Sequence, residues 1–266
     1  MDTQKTQEGR NYLLAVDIGN TNITLGIYLG DQREAAWRLA TDHDRMPDEY
    51  GLQILGLLEF TGVTPADLKG VALASVVPSL TRTFIAASSR YLDQQPFVVD
   101  ETVKTGIQIK LDQPHTIGAD RIVDAVAVMA LYGGPACVVD FGTATTFDAI
   151  TREGDYLGGA ISPGVGIAAD ALFQRAAKLS RVDLAFPPDV IGSSTIHAVQ
   201  SGLMYGYVSL VEGMVARFRT VLGEDMKVIG TGGLVSLISA QTDAITIEAP
   251  WLTLDGLRML WDMNRA

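Results

Sequence analysis

Two aspartates, Asp17 and Asp140, sit at matching places in two matching stretches, "LLAVDIGNTNITLGIY" and "ACVVDFGTATTFDAI". In each, an apolar strand pattern runs into the aspartate, breaks at a glycine turn and resumes as a second strand. The copies align without gaps: Asp17 with Asp140, Gly19 with Gly142, Asn20 with Thr143. Asp, Gly and Asn are ordinary turn formers, and one such turn alone reads as a plain hairpin. A repeated pair that ends core strands in carboxylates points to chemistry. Backbone amides of a Gly/Asn/Thr turn cradle phosphate oxygens, and an adjacent carboxylate holds Mg²⁺ directly or through water. On this reading Asp17 holds a nucleotide's metal and the turn binds its phosphates.

Three further stretches carry candidate chemistry. "GADR", Gly118 to Arg121, puts a carboxylate and a guanidinium at the mouth of an apolar helix. Asp120 is either a helix N-terminal carboxylate satisfying the dipole or a general base for a substrate hydroxyl, and the spacing does not choose. Arg121 is correspondingly solvated or an anion holder. "GTGGL", Gly230 to Leu234, is a glycine loop between a strand and a helix, read as close backbone approach to a flat adenosine. "SSTIHAVQSG" opens a long helix with Ser and Thr as caps. His43, His115 and His197 are isolated, and no Cys/His spacing resembles a zinc site. The lone Cys137, in "ACVVD", reads as a core thiol rather than a nucleophile.

The elements that must position these residues are strands and helices in alternation. Strands are expected at Leu13–Asp17, Ile23–Tyr28, Ala35–Ala40 and "VALASVVPS", and a short one at Phe97–Val99. Helices are expected from Asp48 to Thr61 behind Pro47, from Leu80 to Leu92, and from about Arg121. Ile107–Lys110 reads as a short extended piece. The second half repeats this grammar, with long helices including Ser194–Leu222 and then "KVIGTGGLVSLI" as strand, loop and helix. The "YGGP" punctuation sets the expected boundary: residues 1–131 as one domain and 132–266 as another, with a nucleotide cleft between the duplicated halves.

Composition removes several function classes. The 266 residues are 47% hydrophobic, enough for a substantial core. The formal charge of −11 repels nucleic acid and anionic membrane, and no basic cluster offsets it. The opening "MDTQKTQEGR" reads as a polar tail without a signal-peptide core, and no apolar run spans a bilayer. A cytoplasmic protein is expected, and an anionic ligand would need local amides and cations to overcome the global charge.

Together "DIGNTN", "DEYG", "ASVVP", "GADRIV", "VVDFGTATTFD", "GGAISPG", "AVQSG", "GTGG" and "LTLDGL" resemble the type III pantothenate kinases, of the actin/hexokinase/Hsp70 superfamily. The resemblance covers nearly the whole chain. "DIGNT" and "GTGG" are superfamily-wide, whereas "GADR" with "DFGTATT" and "GGAISPG" is specific to the family. It implies an α/β fold of duplicated ribonuclease-H-like domains. It also implies ATP-dependent phosphorylation of pantothenate to 4'-phosphopantothenate, the first step toward coenzyme A.

By the same resemblance Asp17, Ile18, Gly19, Asn20, Thr21, Asn22, Ile23 and Thr24 form an ATP phosphate segment, with Asp17 on Mg²⁺ through phosphate. Thr143 is an ATP contact. Gly118, Ala119, Asp120, Arg121 and Thr195 contact pantothenate, and Asp120 is the general base. Asp140 is the ligand of a monovalent cation, K⁺ or NH₄⁺. A homodimer with pantothenate near the subunit interface is implied. Many members carry tyrosine seven residues before the glycine of "GADR"; here that residue is Leu111, which bears on substrate affinity. The alternatives are a sugar-kinase or exopolyphosphatase-like enzyme on the same fold, and a non-catalytic accessory protein. Loss of Asp120 or Asp140 would mark the last, and both are present.

Overall fold

Continuous apolar character makes the first strand a buried centre. In the computed structural model, which describes residues 11–100, 102–176 and 178–265, β1 (Tyr12–Ile18) is buried along almost its whole length. It pairs antiparallel with β2 (Asn22–Leu29), which pairs antiparallel with β3 (Gln32–Ala40). On its other side β1 runs parallel to β4 (Leu68–Ser75), and β4 to β5 (Phe97–Val98), giving the order β3-β2-β1-β4-β5. Helices α1 (Pro47–Phe60) and α2 (Pro78–Leu92) each begin on a proline, whose fixed φ suits the first helical turn. Tyr50, Ile54, Leu58, Leu80 and Phe84 from these helices join Val16, Ile18, Leu25 and Leu73 of the sheet in one core. Each such side chain contributes about 1.5–3 kcal/mol by leaving water.

The second sheet has the same plan. Strand β6 (Ala136–Phe141) pairs antiparallel with β7 (Ala144–Ile150), and β7 with β8 (Tyr156–Pro163). On the other side β6 runs parallel to β9 (Lys227–Gly232), and β9 to β10 (Ile247–Glu248), giving the order β10-β9-β6-β7-β8. Helices α4 (Val165–Arg175), α5 (Thr195–Leu222) and α6 (Val235–Ser239) accompany it. Met204, Val208, Val211 and Val215 fall on one face of α5 at helical spacing and pack with Val139, Phe141 and Phe147. This duplicated plan is the α/β, actin-like fold expected from the sequence.

By contacts the chain forms two units that are not contiguous halves. The first holds residues 11–105, His115–Val123 and 253–265; the second holds Gly106–Pro114 and Asp124–Leu252. The expected single cut at 131/132 therefore differs from the contact division in three respects. Residues Gly106–Pro114 belong to the second unit. Helix α3 (Ala119–Leu131) keeps only its first turn in the first unit and belongs to the second from Asp124 on. The C-terminal helix α7 (Leu252–Arg265) belongs to the first unit from Thr253 on. A Cβ at Gly70 on β4 would run into the Trp261 ring of α7, so glycine admits the helix to the sheet. Asp255 of α7 accepts hydrogen bonds from the Tyr28 hydroxyl (2.6 Å) and Arg33 (2.9 Å) of the β2–β3 hairpin. The first ten residues, read as a polar tail, lie outside the described residues.

Candidate active site

The first turn is built by β1, β2 and the end of β3. Asp17 is the penultimate residue of β1, half-buried, beside Thr24 of β2 and Ala74 of β4. The Gly19 amide donates to the Asn22 carbonyl (3.0 Å) and closes the turn. Thr41 clamps it from outside: its hydroxyl donates to the Gly19 carbonyl (2.7 Å) and its amide to the Thr21 carbonyl (2.9 Å). Asn20, Thr21 and Asn22 are exposed, whereas Ile18 and Ile23 are fully buried core residues. The two isoleucines can therefore serve a ligand only through backbone.

The second turn is tighter. Asp140 is half-buried at the end of β6, between Thr146 of β7 and Thr231 of β9. The Gly142 amide donates to the Ala144 carbonyl (3.0 Å), and the Gly164 amide donates to the Thr143 carbonyl (3.1 Å). A Cβ at Gly164 would strike the carbonyls of Gly142 and Thr143, so the "SPG" loop reaches the turn only because residue 164 has no side chain. The Tyr207 hydroxyl of α5 holds that loop by donating to the Pro163 carbonyl (2.5 Å). Gly232 stands against the Asp140 carboxylate and the Phe141 backbone, with φ +89°. The glycines of "GTGGL" thus have local causes. Gly232 gives way to Asp140, and Gly230 to Val235 and Ile245.

"GADR" starts α3, and Asp120 and Arg121 are both half-buried. Asp120 Oδ1 accepts the Arg121 amide (2.8 Å) and lies where a Cβ on Gly118 would go, so glycine lets the carboxylate fold over the helix start. A Cβ at Gly118 would also lie 3.4 Å from Val76. Val76 in turn donates its amide to the Ile18 carbonyl (3.1 Å). Within the first unit, therefore, "GADR" and the Asp17 turn meet the same residue at the same end of the sheet.

In the second unit Asp140 and Thr143 share the tight turn. Thr195 is exposed at the start of α5, where Ser194 caps the helix by accepting the His197 amide (3.2 Å). It lines a hollow of about 410 Å³ with Leu172, Leu179, Ala198 and Leu203. Leu111, also in this unit, leans on Gly158 of β8.

Thr41, Tyr207 and the buried pair Asp148–Tyr156 were not singled out from the sequence. Thr41 and Tyr207 act across long gaps in the chain and the Asp148–Tyr156 pair across two paired strands, and no local spacing signals them. Burial pushes the Cys137 thiol well above its ordinary pKa, and the nearby Asp148 charge adds to this, so a neutral core thiol is what the fold holds. Among the described residues no three His, Cys, Asp or Glu side chains converge as a metal cage. A cation at Asp140 would thus rest on one carboxylate, backbone carbonyls and ligand oxygens. That hard-oxygen set suits K⁺-like or Mg²⁺ ions and not zinc. Among the described residues no helix is long and apolar enough to cross a membrane.

Comparison with known proteins follows the same residues. The family model for type III pantothenate kinase matches residues 13–217. A type III pantothenate kinase of Moorella thermoacetica is 50% identical over 252 residues, 95% of this chain and 99% of its own length. One from Roseiflexus castenholzii is 50% identical over 253 residues, again 95% and 99%. Among solved structures, a conserved putative Baf family transcriptional activator from Campylobacter jejuni superposes with TM-score 0.61 at 19% identity, covering 95% of this chain and 98% of its own. A putative N-acetylmannosamine kinase from Listeria monocytogenes gives TM-score 0.52 at 10% identity, covering 96% and 100%. At such identities these two speak for the fold alone.

Proposed function

The chain belongs to the type III pantothenate kinase family, and from that premise we propose how its residues transfer a phosphoryl group from ATP to the terminal hydroxyl of pantothenate. Membership rests on near full-length identity. The assignment of roles is carried by one observation: "GADR" and the Asp17 turn share Val76 at one end of the first sheet. A base for the alcohol and a cradle for the phosphates belong at the same end.

Residues Asp17 to Thr24 hold the ATP phosphates through turn amides and the Asn20, Thr21 and Thr24 side chains, with Asp17 directed at Mg²⁺. Thr143 adds a contact from the second turn. Gly118 to Arg121 bind pantothenate, Arg121 taking its carboxylate. Asp120 takes the proton of the attacking hydroxyl late, as a loose phosphoryl-transfer transition state requires. Thr195 adds a contact from the second unit, and Leu111 stands as an apolar wall beside the substrate. Asp140 holds the monovalent cation. When bound, the two ions supply positive charge that neutralises the polyphosphate, which a protein of net charge −11 otherwise lacks.

A homodimer agrees with the apolar surface of the second unit. Ile161, Ile167, Leu172, Val190, Ile191 and Ile196 are exposed there, and Leu172 borders the hollow that Thr195 lines. A cytoplasmic location fits the substrates, and the acidic charge argues against nucleic acid and membrane partners.

Coupled ADP release with and without pantothenate tests the activity, which should be strictly pantothenate-dependent. Asp120→Asn should lower kcat about 10²–10⁴-fold with ATP affinity and melting temperature nearly unchanged. Turnover within a few fold of the parent would make Asp120 a helix-start carboxylate only.

A further inference from the structure

Residues Gly106–Pro114 leave the first unit, join the second and return to the first at His115, just before "GADR". Their hold on the second unit is concentrated at Tyr156, the first residue of β8. The Tyr156 amide donates to the Gln108 carbonyl (2.8 Å), and the Lys110 amide donates to the Tyr156 carbonyl (2.8 Å). This is a parallel bridge between Ile109 and Tyr156, so the segment extends the sheet beyond β8. One residue further on, Leu111 covers Gly158: its Cδ2 is 2.9 Å from where a Cβ would stand, and the φ of +104° at Gly158 also favours glycine.

Tyr156 is itself fixed from below. Its side chain is fully buried, and its hydroxyl donates to Asp148 Oδ1 (2.5 Å) on β7. Asp148 is only 2% exposed, and its Oδ2 accepts the Thr146 hydroxyl (3.2 Å). The β7–β8 register shifts between Ala149 and Ile150, and Ile150 is the partner of Tyr156. A bulge of this kind re-aims a strand end and its side chains. A buried carboxylate is costly unless hydrogen-bonded, and a phenylalanine at 156 with an apolar residue at 148 would fill a core at less expense. The polar pair selects one placement of the bulged strand end where an apolar pair would tolerate several.

We propose that Tyr156 and Asp148 are positioning residues for pantothenate. They set the height of the 107–111 segment over β8, and through it the place of Leu111. The inference rests on the reading that Leu111 borders pantothenate. Neither residue touches the transferred phosphoryl, so their effect is on binding the alcohol substrate and not on the chemical step.

The experiment compares the parent protein with Tyr156→Phe, Asp148→Asn and Leu111→Ala. It measures kcat, the KM of each substrate, melting temperature and amide hydrogen exchange of residues 107–111. Tyr156→Phe should raise the pantothenate KM by up to about fivefold, the ceiling reached if the free energy of the lost hydrogen bond goes entirely into re-ordering the segment on binding, with ATP KM and kcat within about twofold. Its Lys110 amide should exchange faster. Asp148→Asn keeps an acceptor for the tyrosine hydroxyl but loses the charge that strengthens the bond, and should raise the pantothenate KM by less than Tyr156→Phe does. Leu111→Ala, on a half-buried segment, should fold and raise the pantothenate KM alone. Unchanged pantothenate KM in Tyr156→Phe, or equal rises for both substrates, overturns the proposal, as does unchanged exchange at Lys110. Absence of pantothenate-dependent ADP release in the parent protein would instead overturn the functional reading, and is seen before any variant is made.

Discussion

The two β-Asp-x-Gly hairpins align residue for residue in sequence, yet they fold into different turns. Asp17 faces Thr24, seven residues on, across a connection of Gly19 to Thr21. Asp140 faces Thr146, six residues on, across Gly142 and Thr143 only. Their parallel neighbours diverge in the same way. Ile18 lies beside Ser75 of β4, whose hydroxyl accepts the Val77 amide (3.1 Å) and the Thr81 hydroxyl (2.8 Å) before α2. Phe141 lies beside Gly232 of β9, where glycine leaves room for the Asp140 carboxylate. One copy keeps an open turn with three exposed residues, clamped by Thr41. The other is crowded by backbone from "SPG" and "GTGG". Duplication has preserved the topology and the carboxylate while the surroundings of each carboxylate have parted. An open turn leaves room for a bulky polyphosphate, and a crowded carboxylate suits a bare cation.

If that division of labour is right, the two aspartates should fail differently. Asp140→Ala should reduce turnover about 10²-fold and remove the dependence on K⁺. Asp17→Ala should lose a similar factor but shift the Mg²⁺ titration. Titrating both variants with each ion decides the matter, since two copies in equivalent roles would alter the response to the same ion.

A smaller contrast is expected in stability. Gly232→Ala puts a Cβ into Asp140 and the Phe141 backbone at a φ that disfavours side chains, and should cost roughly 2–3 kcal/mol. Gly19→Ala meets only the Asn22 carbonyl, at 3.0 Å, and should cost about 1 kcal/mol. Denaturant unfolding of the pair measures the gap. Equal losses would mean that the second turn relaxes as readily as the first.

The smallest effect concerns equivalent core positions, Leu14 of β1 and Cys137 of β6, both fully buried. If Cys137 only fills the place of a leucine, iodoacetamide at pH 8 should leave the native protein unmodified and its turnover unchanged, because burial keeps the thiol neutral. Mass spectrometry reads the outcome, with the unfolded chain as the positive control. Rapid modification of the folded protein would break the equivalence.

Most elements were legible because their signals are local. The run "LLAV" marks a central strand, Pro47 opens a helix, and Ser and Thr cap the start of α5. The repeated Asp-x-Gly turn could be read for the same reason, and with it the duplicated plan of the two sheets. The unit boundary was less legible. "YGGP" does break the chain after α3, but contact membership depends on where α7 docks, and Gly26 and Gly70 say nothing of Leu254 and Trp261 until they meet.

What the sequence by itself determined is the alternation of strands and helices, the pair of carboxylates at strand ends and the family. These follow from periodicities of a few residues and from contiguous motifs. Only the tertiary structure decided that Val76 joins "GADR" to the first turn. It alone decided that Gly232 exists for Asp140, and that the Tyr156 backbone pairs with the 107–111 segment. Each of these depends on which groups a close-packed interior brings within a few ångströms, and on the requirement that every polar group so buried find a partner. Neither condition is written in the spacing of neighbouring residues.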